Sequence, residues 1–272
     1  MPISPIYTVI TGASLGLGYA LAEECAKRKR HLILIALPDE NIIEIALQLS
    51  KTYGIKAIAY EVNLTAENAT LTCAAWICEN FEIDMLINNA GIGGTKHFSE
   101  SSSYDIDQII LLNIRALVLM THQLLPRLRE QKQSFILNIA SLASFSPIPY
   151  KTVYPASKAF VYSFSRGLYA ELKDTSVFVS VAHPGGMATS PEIAERMKQH
   201  NLFVRHSYLS PEETARICIR QLLKKESMII PGALNKLLWL LIKLVPAGMR
   251  LKIFRKTIVK ELAIDKRKLK QR

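Results

Sequence analysis

Seven short apolar runs alternate along this chain with amphipathic stretches, and few folds satisfy that pattern. The runs are Tyr7–Ile10, Leu32–Ala36, Ile55–Tyr60, Ile83–Ile87, Phe135–Ile139, Val177–Ala182 and Met228–Ile230. The stretches between them are 17–30, 40–53, 66–80, 103–130, 153–173 and 211–225. Short runs with few polar residues read as strands buried on both faces. Strands that alternate with helices pack as a parallel sheet covered on each side. The crossovers are expected to be right-handed, and a ligand is expected at the carboxyl ends of the strands of a doubly wound sheet. A chain of 272 residues, 49% of them hydrophobic, can bury the core of one such α/β domain.

The first run leads into Thr11-Gly12-Ala13-Ser14-Leu15-Gly16-Leu17-Gly18, and a helical pattern follows. That strand–turn–helix context is what a phosphate loop requires. Gly12 allows a sharp turn, Gly16 lets backbone approach a pyrophosphate, and Gly18 lets the helix pack closely on the strand. The helix N-terminus then offers N–H groups and the positive end of its dipole. A glycine-rich turn without a ligand is the plainer alternative.

Tyr154 and Lys158 stand at i and i+4 in Y-P-A-S-K, on one face of a helix. A phenol with a pKa of about 10 is a poor base at neutral pH, and a neighbouring ammonium favours its phenolate. Ser141, at the end of the run Phe135–Ile139, is placed to hold a substrate oxygen that Tyr154 protonates; otherwise it caps a turn.

These motifs, taken in order, resemble those of the short-chain dehydrogenase/reductase family across residues 5–232. They are T-G-A-S-L-G-L-G at 11–18, N-N-A-G at 88–91, Asn113 in L-L-N-I-R, Ser141 in N-I-A-S, Y-P-A-S-K at 154–158 and P-G-G-M-A-T at 184–189. The resemblance implies a Rossmann-like seven-stranded sheet in the order 3-2-1-4-5-6-7. It also implies hydride transfer between a nicotinamide and a carbonyl or alcohol. By this likeness Tyr154 is the general acid or base, Lys158 tunes it and holds the nicotinamide ribose, and Ser141 orients the carbonyl. Asn113 keeps a water for proton relay. Gly12, Ser14, Gly16, Leu17 and Gly18 are expected to bind the cofactor, with Asn89, Ala90 and Gly91 along its adenosine side and Pro184, Gly185 and Thr189 at the carboxamide. No metal is implied.

Two positions depart from the family pattern. Asn63 stands where relatives carry an Asp that meets adenine, and its amide oxygen is expected to keep a weaker bond. Leu37 occupies the spot at the end of the second strand where Arg or Asp selects the cofactor, and Leu15 replaces a basic loop residue. Asp39 is left either to reach the ribose and favour NAD(H) or to cap a helix Glu40–Leu49. Relatives of this type give a weak lean to NADP(H).

The expected pocket wall is Gly93, His97, Leu142, Phe145, Ile148, Tyr150, Met187 and a lid over 190–208, with no Lys or Arg to grip an anion. That favours a small hydrophobic ketone or alcohol. His183 is expected to be a buried strand-end residue with a satisfied hydrogen bond. Relatives pair through the helices bearing Asn113 and Tyr154, so a homodimer or homotetramer is expected. The rival readings are a cofactor-binding protein without turnover and a peripheral membrane reductase of a lipid ketone.

Charge divides the chain. Residues 235–272 carry 12 Lys and Arg against 2 acids, while residues 1–234 carry 22 against 21. A uniformly basic nucleic-acid-binding domain would not divide this way. The catalytic domain is therefore assigned to 1–232 and a basic helical extension to 233–272. Its apolar run 235–245 is too short and too interrupted to span a bilayer; the extension packs on the body or on a partner subunit, or lies on an anionic membrane surface. Met1–Pro5 shows no secretory signal, and Cys25, Cys73, Cys78 and Cys218 lack C-x-x-C spacing, which suits a cytoplasmic protein.

Overall fold

The computed structural model describes residues 5–187 and 207–269, with side chains as far as Val259. Seven parallel strands form one sheet in the order β3-β2-β1-β4-β5-β6-β7. They are β1 (Ile6–Thr11), β2 (His31–Ala36), β3 (Ala57–Glu61), β4 (Glu82–Asn88), β5 (Ser134–Ile139), β6 (Val177–Ala182) and the two-residue β7 (Met228–Ile229). Strand β1 pairs with both β2 and β4, so the winding reverses there and the loops after β1 and β4 spread around a crevice.

The period-two pattern of the strands sorts their side chains between two helical layers. On β2, Leu32, Leu34 and Ala36 point to one core, with Leu21, Ala46 and Ile219 from α1 (Gly16–Lys27), α2 (Ile42–Tyr53) and α7 (Pro211–Leu223). Ile33 and Ile35 point to the other, with Ile77, Met120 and Leu124 from α3 (Ala69–Asn80) and α5 (Leu117–Glu130). Each fully buried Leu or Ile contributes roughly 1.5–3 kcal/mol. Within this layer a polar ladder joins the elements. Asn88 Nδ2 donates to Thr121 Oγ1 and Asn138 Oδ1, both at 2.9 Å, and Asn138 Nδ2 donates to Ser165 Oγ at 2.9 Å.

The structure revises several sequence expectations. The stretch 103–130 is α4 (Ser103–Ile110), a π-helical turn (Leu111–Ala116) and α5. That turn contains Asn113, and such turns gather at functional sites. Helix α2 begins at Ile42, and its N-cap is Asn41 with a left-handed φ of 55° and no side-chain cap. Asp39, itself left-handed at φ 66°, therefore does not cap it. Beyond β7 lie α8 (Ala233–Leu244) and α9 (Ala247–Leu269). Thr189 and nearly all of the lid expected over 190–208 lie outside the described residues.

Candidate active site

The glycine loop turns at the carboxyl end of β1 and enters α1. Gly12 has φ +64°, and a Cβ there would lie 2.9 Å from Ala90 Cα. A Cβ on Gly18 would lie 1.7 Å from Gly12 O, so neither position admits a side chain. Asn89 clamps the loop from β4, donating from Nδ2 to Thr11 O at 3.1 Å and Gly12 O at 2.9 Å. No side chain caps α1, and its first turn holds no acid. A tight cradle under an uncapped helix N-terminus fits the pyrophosphate of a dinucleotide. From it a cleft of about 910 Å³ runs past Leu37, Asn63 and Gly91 to Tyr154.

At the adenosine end, Ser14 Oγ donates to Glu40 Oε2 at 2.5 Å. Both residues line the cleft, as do the exposed Leu15 and Leu37. Sequence reasoning weighed Asp39 and missed Glu40. An acid about 20 residues beyond the glycine motif is where a ribose ligand is expected, a spacing that the adjacent Asp39 and Glu40 meet alike. Asn63 lines the cleft too, but its Oδ1 already accepts from Thr65 N at 3.0 Å and Thr65 Oγ1 at 2.8 Å. Both lone pairs of the oxygen expected to meet adenine are thus engaged within the turn.

At the other end, the start of α6 (Val153–Glu171) brings Tyr154 and Lys158 beside Ser141. Burial pushes the Tyr154 phenol above its ordinary value, and a hydrogen bond with the Ser141 side chain works against that rise. Burial lowers the Lys158 ammonium to about 8. Lys158 Nζ donates to Ile139 O at 2.9 Å and lies 5.9 Å from the centre of the Tyr154 ring. Burial is thus the leading influence on the phenol in this arrangement. The protonated form is favoured, as a general acid requires.

Three further elements fix this cluster. Asn113, fully buried, exchanges 2.9 Å hydrogen bonds with the backbone of Ile92 and donates to Ser157 Oγ at 2.9 Å, tying the β4 loop to α6. Gly91 lies so close that a Cβ would stand 3.1 Å from both Asn113 Oδ1 and Lys158 Nζ. Ser141 caps the 3₁₀ turn Leu142–Phe145, and its carbonyl accepts from Ser144 Oγ at 2.6 Å. His183 Nδ1 lies 2.9 Å from that Oγ and 3.1 Å from Ser141 O. Burial lowers His183 to about 4, so it stays neutral, and its Nε2 has no partner among the described residues. The expected hydrogen bond of His183 is thus present at one nitrogen only.

The loop after β6 closes the group. Pro184 O accepts from Leu142 N at 3.0 Å, and a Cβ on Gly185 would meet the Asn235 amide at 2.8 Å. Asn235, on α8, anchors itself by donating to Pro231 O at 2.8 Å. Nothing in the sequence linked this residue to the site.

The pocket wall differs from expectation. Gly93 and Tyr150 line the cleft. Phe145 instead turns inward, its ring 4.4 Å from that of His183 and 5.3 Å from that of Tyr162. Met187 packs on the core, and His97 packs edge-on against Tyr150 at 4.7 Å. Leu142 and Ile148 are not among the lining residues described. Two lysines do line it, Lys96 and Lys151, and Lys96 pairs with Asp105 at 3.0 Å.

A glycine cradle stands at the switch point of a doubly wound sheet, with Ser141, Tyr154 and Lys158 near the neighbouring strand ends, which is a fold and arrangement that suits a dinucleotide. The family model for short chain dehydrogenase matches residues 7–200, and the chain belongs to that family. It is 35% identical over 187 residues to the very-long-chain 3-oxoacyl-CoA reductase of Anas platyrhynchos, covering 67% of this chain and 60% of the relative. The chain thus spans about 60% of that relative's length. It is 29% identical over 219 residues to the 3-oxoacyl-[acyl-carrier-protein] reductase FabG of Aquifex aeolicus, covering 78% and 88%. The bulky-bulky ketone specific alcohol dehydrogenase from Comamonas testosteroni matches with a TM-score of 0.74 at 26% identity, over 84% of this chain and 87% of that one. A short-chain dehydrogenase from Sphingobium yanoikuyae in complex with NADPH gives 0.76 at 26% identity, over 84% and 88%.

Proposed function

We propose that this protein is an NAD(P)H-dependent reductase of a hydrophobic ketone, also able to run the reverse oxidation of the secondary alcohol. The observation that carries the reading is a placement: the cleft that begins in the glycine loop ends at Tyr154, whose ring centre lies 5.9 Å from the buried Lys158 Nζ. When bound, the nicotinamide cofactor supplies or accepts the hydride. Ser141 holds the substrate oxygen and Tyr154 passes its phenolic proton to it. Lys158 holds the ribose and restores the proton through the relay at Asn113. Gly12, Ser14, Gly16, Leu17 and Gly18 seat the phosphates. Asn89, Ala90 and Gly91 line the adenosine side, and Pro184, Gly185 and Thr189 position the carboxamide. A role without turnover gives way to this reading, since binding alone does not call for a buried acid beside a serine.

The hydrophobic ketone is supported by the named relatives, whose substrates are 3-oxoacyl thioesters and bulky ketones. The cofactor lean to NADP(H) is supported by structural neighbours complexed with NADPH or NADP. The adenosine end keeps that lean small. Leu15 and Leu37 offer a 2′-phosphate no cation, and the Glu40 carboxylate opposes it. Residues 1–232 act as the catalytic domain and 233–272 as its extension. Self-assembly through the helices bearing Asn113 and Tyr154 is supported by Ile110 and Phe160, each 41% exposed. The protein works in the cytoplasm, with peripheral contact to a membrane.

Titration with NADPH and NADH, read by nicotinamide fluorescence, followed by a panel of apolar ketones, tests the reading. Both cofactors should bind, within about tenfold of one another, and at least one ketone should be reduced. Binding of neither cofactor would overturn it.

A further inference from the structure

We propose that the outer face of α8 and α9 is a docking surface for an anionic lipid bilayer, deepening the reading of an apolar substrate by naming where that substrate is met. On α8, Leu237, Leu240, Leu241 and Leu244 are 46%, 49%, 44% and 78% exposed. Their spacing of i, i+3, i+4 and i+7 sets them in one stripe along the helix. The opposite face is already used. Asn235 is buried against Gly185, and the Trp239 ring lies 6.1 Å from that of Phe145. The leucines are therefore surplus to the packing of α8 on the body. Helix α9 also leaves Met249 and Ile253 exposed, while Ile258 turns inward.

Charge selects the occupant. The segment 235–272 carries 12 cations against 2 acids, and Lys236 on α8 and Lys252, Arg255 and Lys256 on α9 are exposed. A two-fold contact between copies would set two such segments face to face, with like charges opposed. An anionic bilayer attracts them. At 12 residues, α8 is about 18 Å long. That is too short to cross a hydrocarbon layer of about 30 Å, so the helix lies in the interface with its leucines in the acyl boundary. The 28-residue stretch Ser103–Glu130 is long and apolar enough to span, but it buries Met120, Leu124 and Leu128 in the core.

The docking face is joined to the site. Arg250 Nη1 donates to Phe145 O at 2.7 Å, on the turn that Ser141 caps, and Asn235 backs the Gly185 loop. A bilayer held by α8 thus lies next to the segments that position the substrate, so a lipid-dissolved ketone is taken from the membrane phase.

Sedimentation of the full chain with phosphatidylcholine vesicles, alone or mixed with phosphatidylglycerol, tests this. Binding should require the anionic lipid and weaken as salt rises. The variant L240E/L244E should lose at least about tenfold in partitioning, while NAD(P)H binding and reduction of a water-soluble ketone stay unchanged. Those two readouts separate failure of the docking proposal from failure of the catalytic reading. The charge variant K252Q/R255Q/K256Q should lose the preference for anionic lipid. Absence of wild-type binding, or binding indifferent to the leucine variant, would overturn the proposal. So would light scattering in which L240E/L244E turns an oligomer into monomers while vesicles are ignored, which would assign the stripe to a second copy.

Discussion

The two ends of the cleft follow different rules. At the proton-transfer end the polar groups are braced from several elements at once: Ser141 by Ser144 and His183, Lys158 by Ile139, and the β4 loop by Asn113. At the adenosine end the contacts are fewer, with Ser14 on Glu40 and Asn63 turned onto Thr65 within its own turn. Proton transfer tolerates little displacement, whereas a ribose or adenine edge can be held in several ways. The chemistry is therefore constrained and the cofactor choice is open to drift.

The largest expected effect lies at the constrained end. Tyr154→Phe should cut turnover by ~10²–10⁴-fold, the usual worth of a positioned acid, while leaving cofactor affinity nearly intact. Steady-state rates and fluorescence titration check both halves. Gly18→Ala should weaken both cofactors alike, because its Cβ would fall 1.7 Å from Gly12 O. A variant that bound normally would show that the cradle is not the phosphate seat.

Next comes pH. His183 is held neutral, at about 4 against 6.5 in the unfolded chain. The unfolded state takes its proton first, so stability is full above pH 6.5 and falls as pH drops toward 4. The loss approaches ~3 kcal/mol at 1.36 kcal/mol per pH unit. Denaturant melts of wild type and His183→Phe should show that slope in the first and a shallower one in the second. Separately, Lys158 sheds its charge as pH rises through about 8, so kcat/KM for reduction should decline above that value.

Smaller effects belong to the adenosine end. Leu37→Arg should shift the NADPH-to-NADH affinity ratio toward NADPH by about tenfold, and Glu40→Gln should move it the same way by less. A shift from neither would remove the adenosine end from cofactor selection. Asn63→Asp should change affinity only a few-fold, because the change leaves an oxygen in place for Thr65.

The contrast between the ends also marks what the sequence could disclose. The strands were readable because a run buried on both faces has few polar residues, as in Leu32–Ala36. The nearness of Tyr154, Lys158 and Ser141 was readable because the first two share a helix and Ser141 sits just past a strand end. Glu40 was not, since its meeting with Ser14 spans 26 residues and depends on how the turn before α2 is wound. The π turn at Asn113 left no trace because the helical pattern of 103–130 runs through Leu111–Ala116 with no Gly or Pro there to mark a change of winding. Phe145 looked like pocket wall, yet His183 and Tyr162 draw its ring inward. Lys96 and Lys151 looked remote, yet the loops carry them to the cleft.

The central claim is that Tyr154 protonates a ketone while a hydride reaches its carbon. Its most direct test uses NAD(P)H deuterated at the transferable C4 position, with an apolar ketone, and mass spectrometry of the alcohol. The account predicts one deuterium at the carbinol carbon with wild type and a loss of labelled product with Tyr154→Phe. Unlabelled alcohol from wild type, or equal labelled product from both proteins, would contradict it.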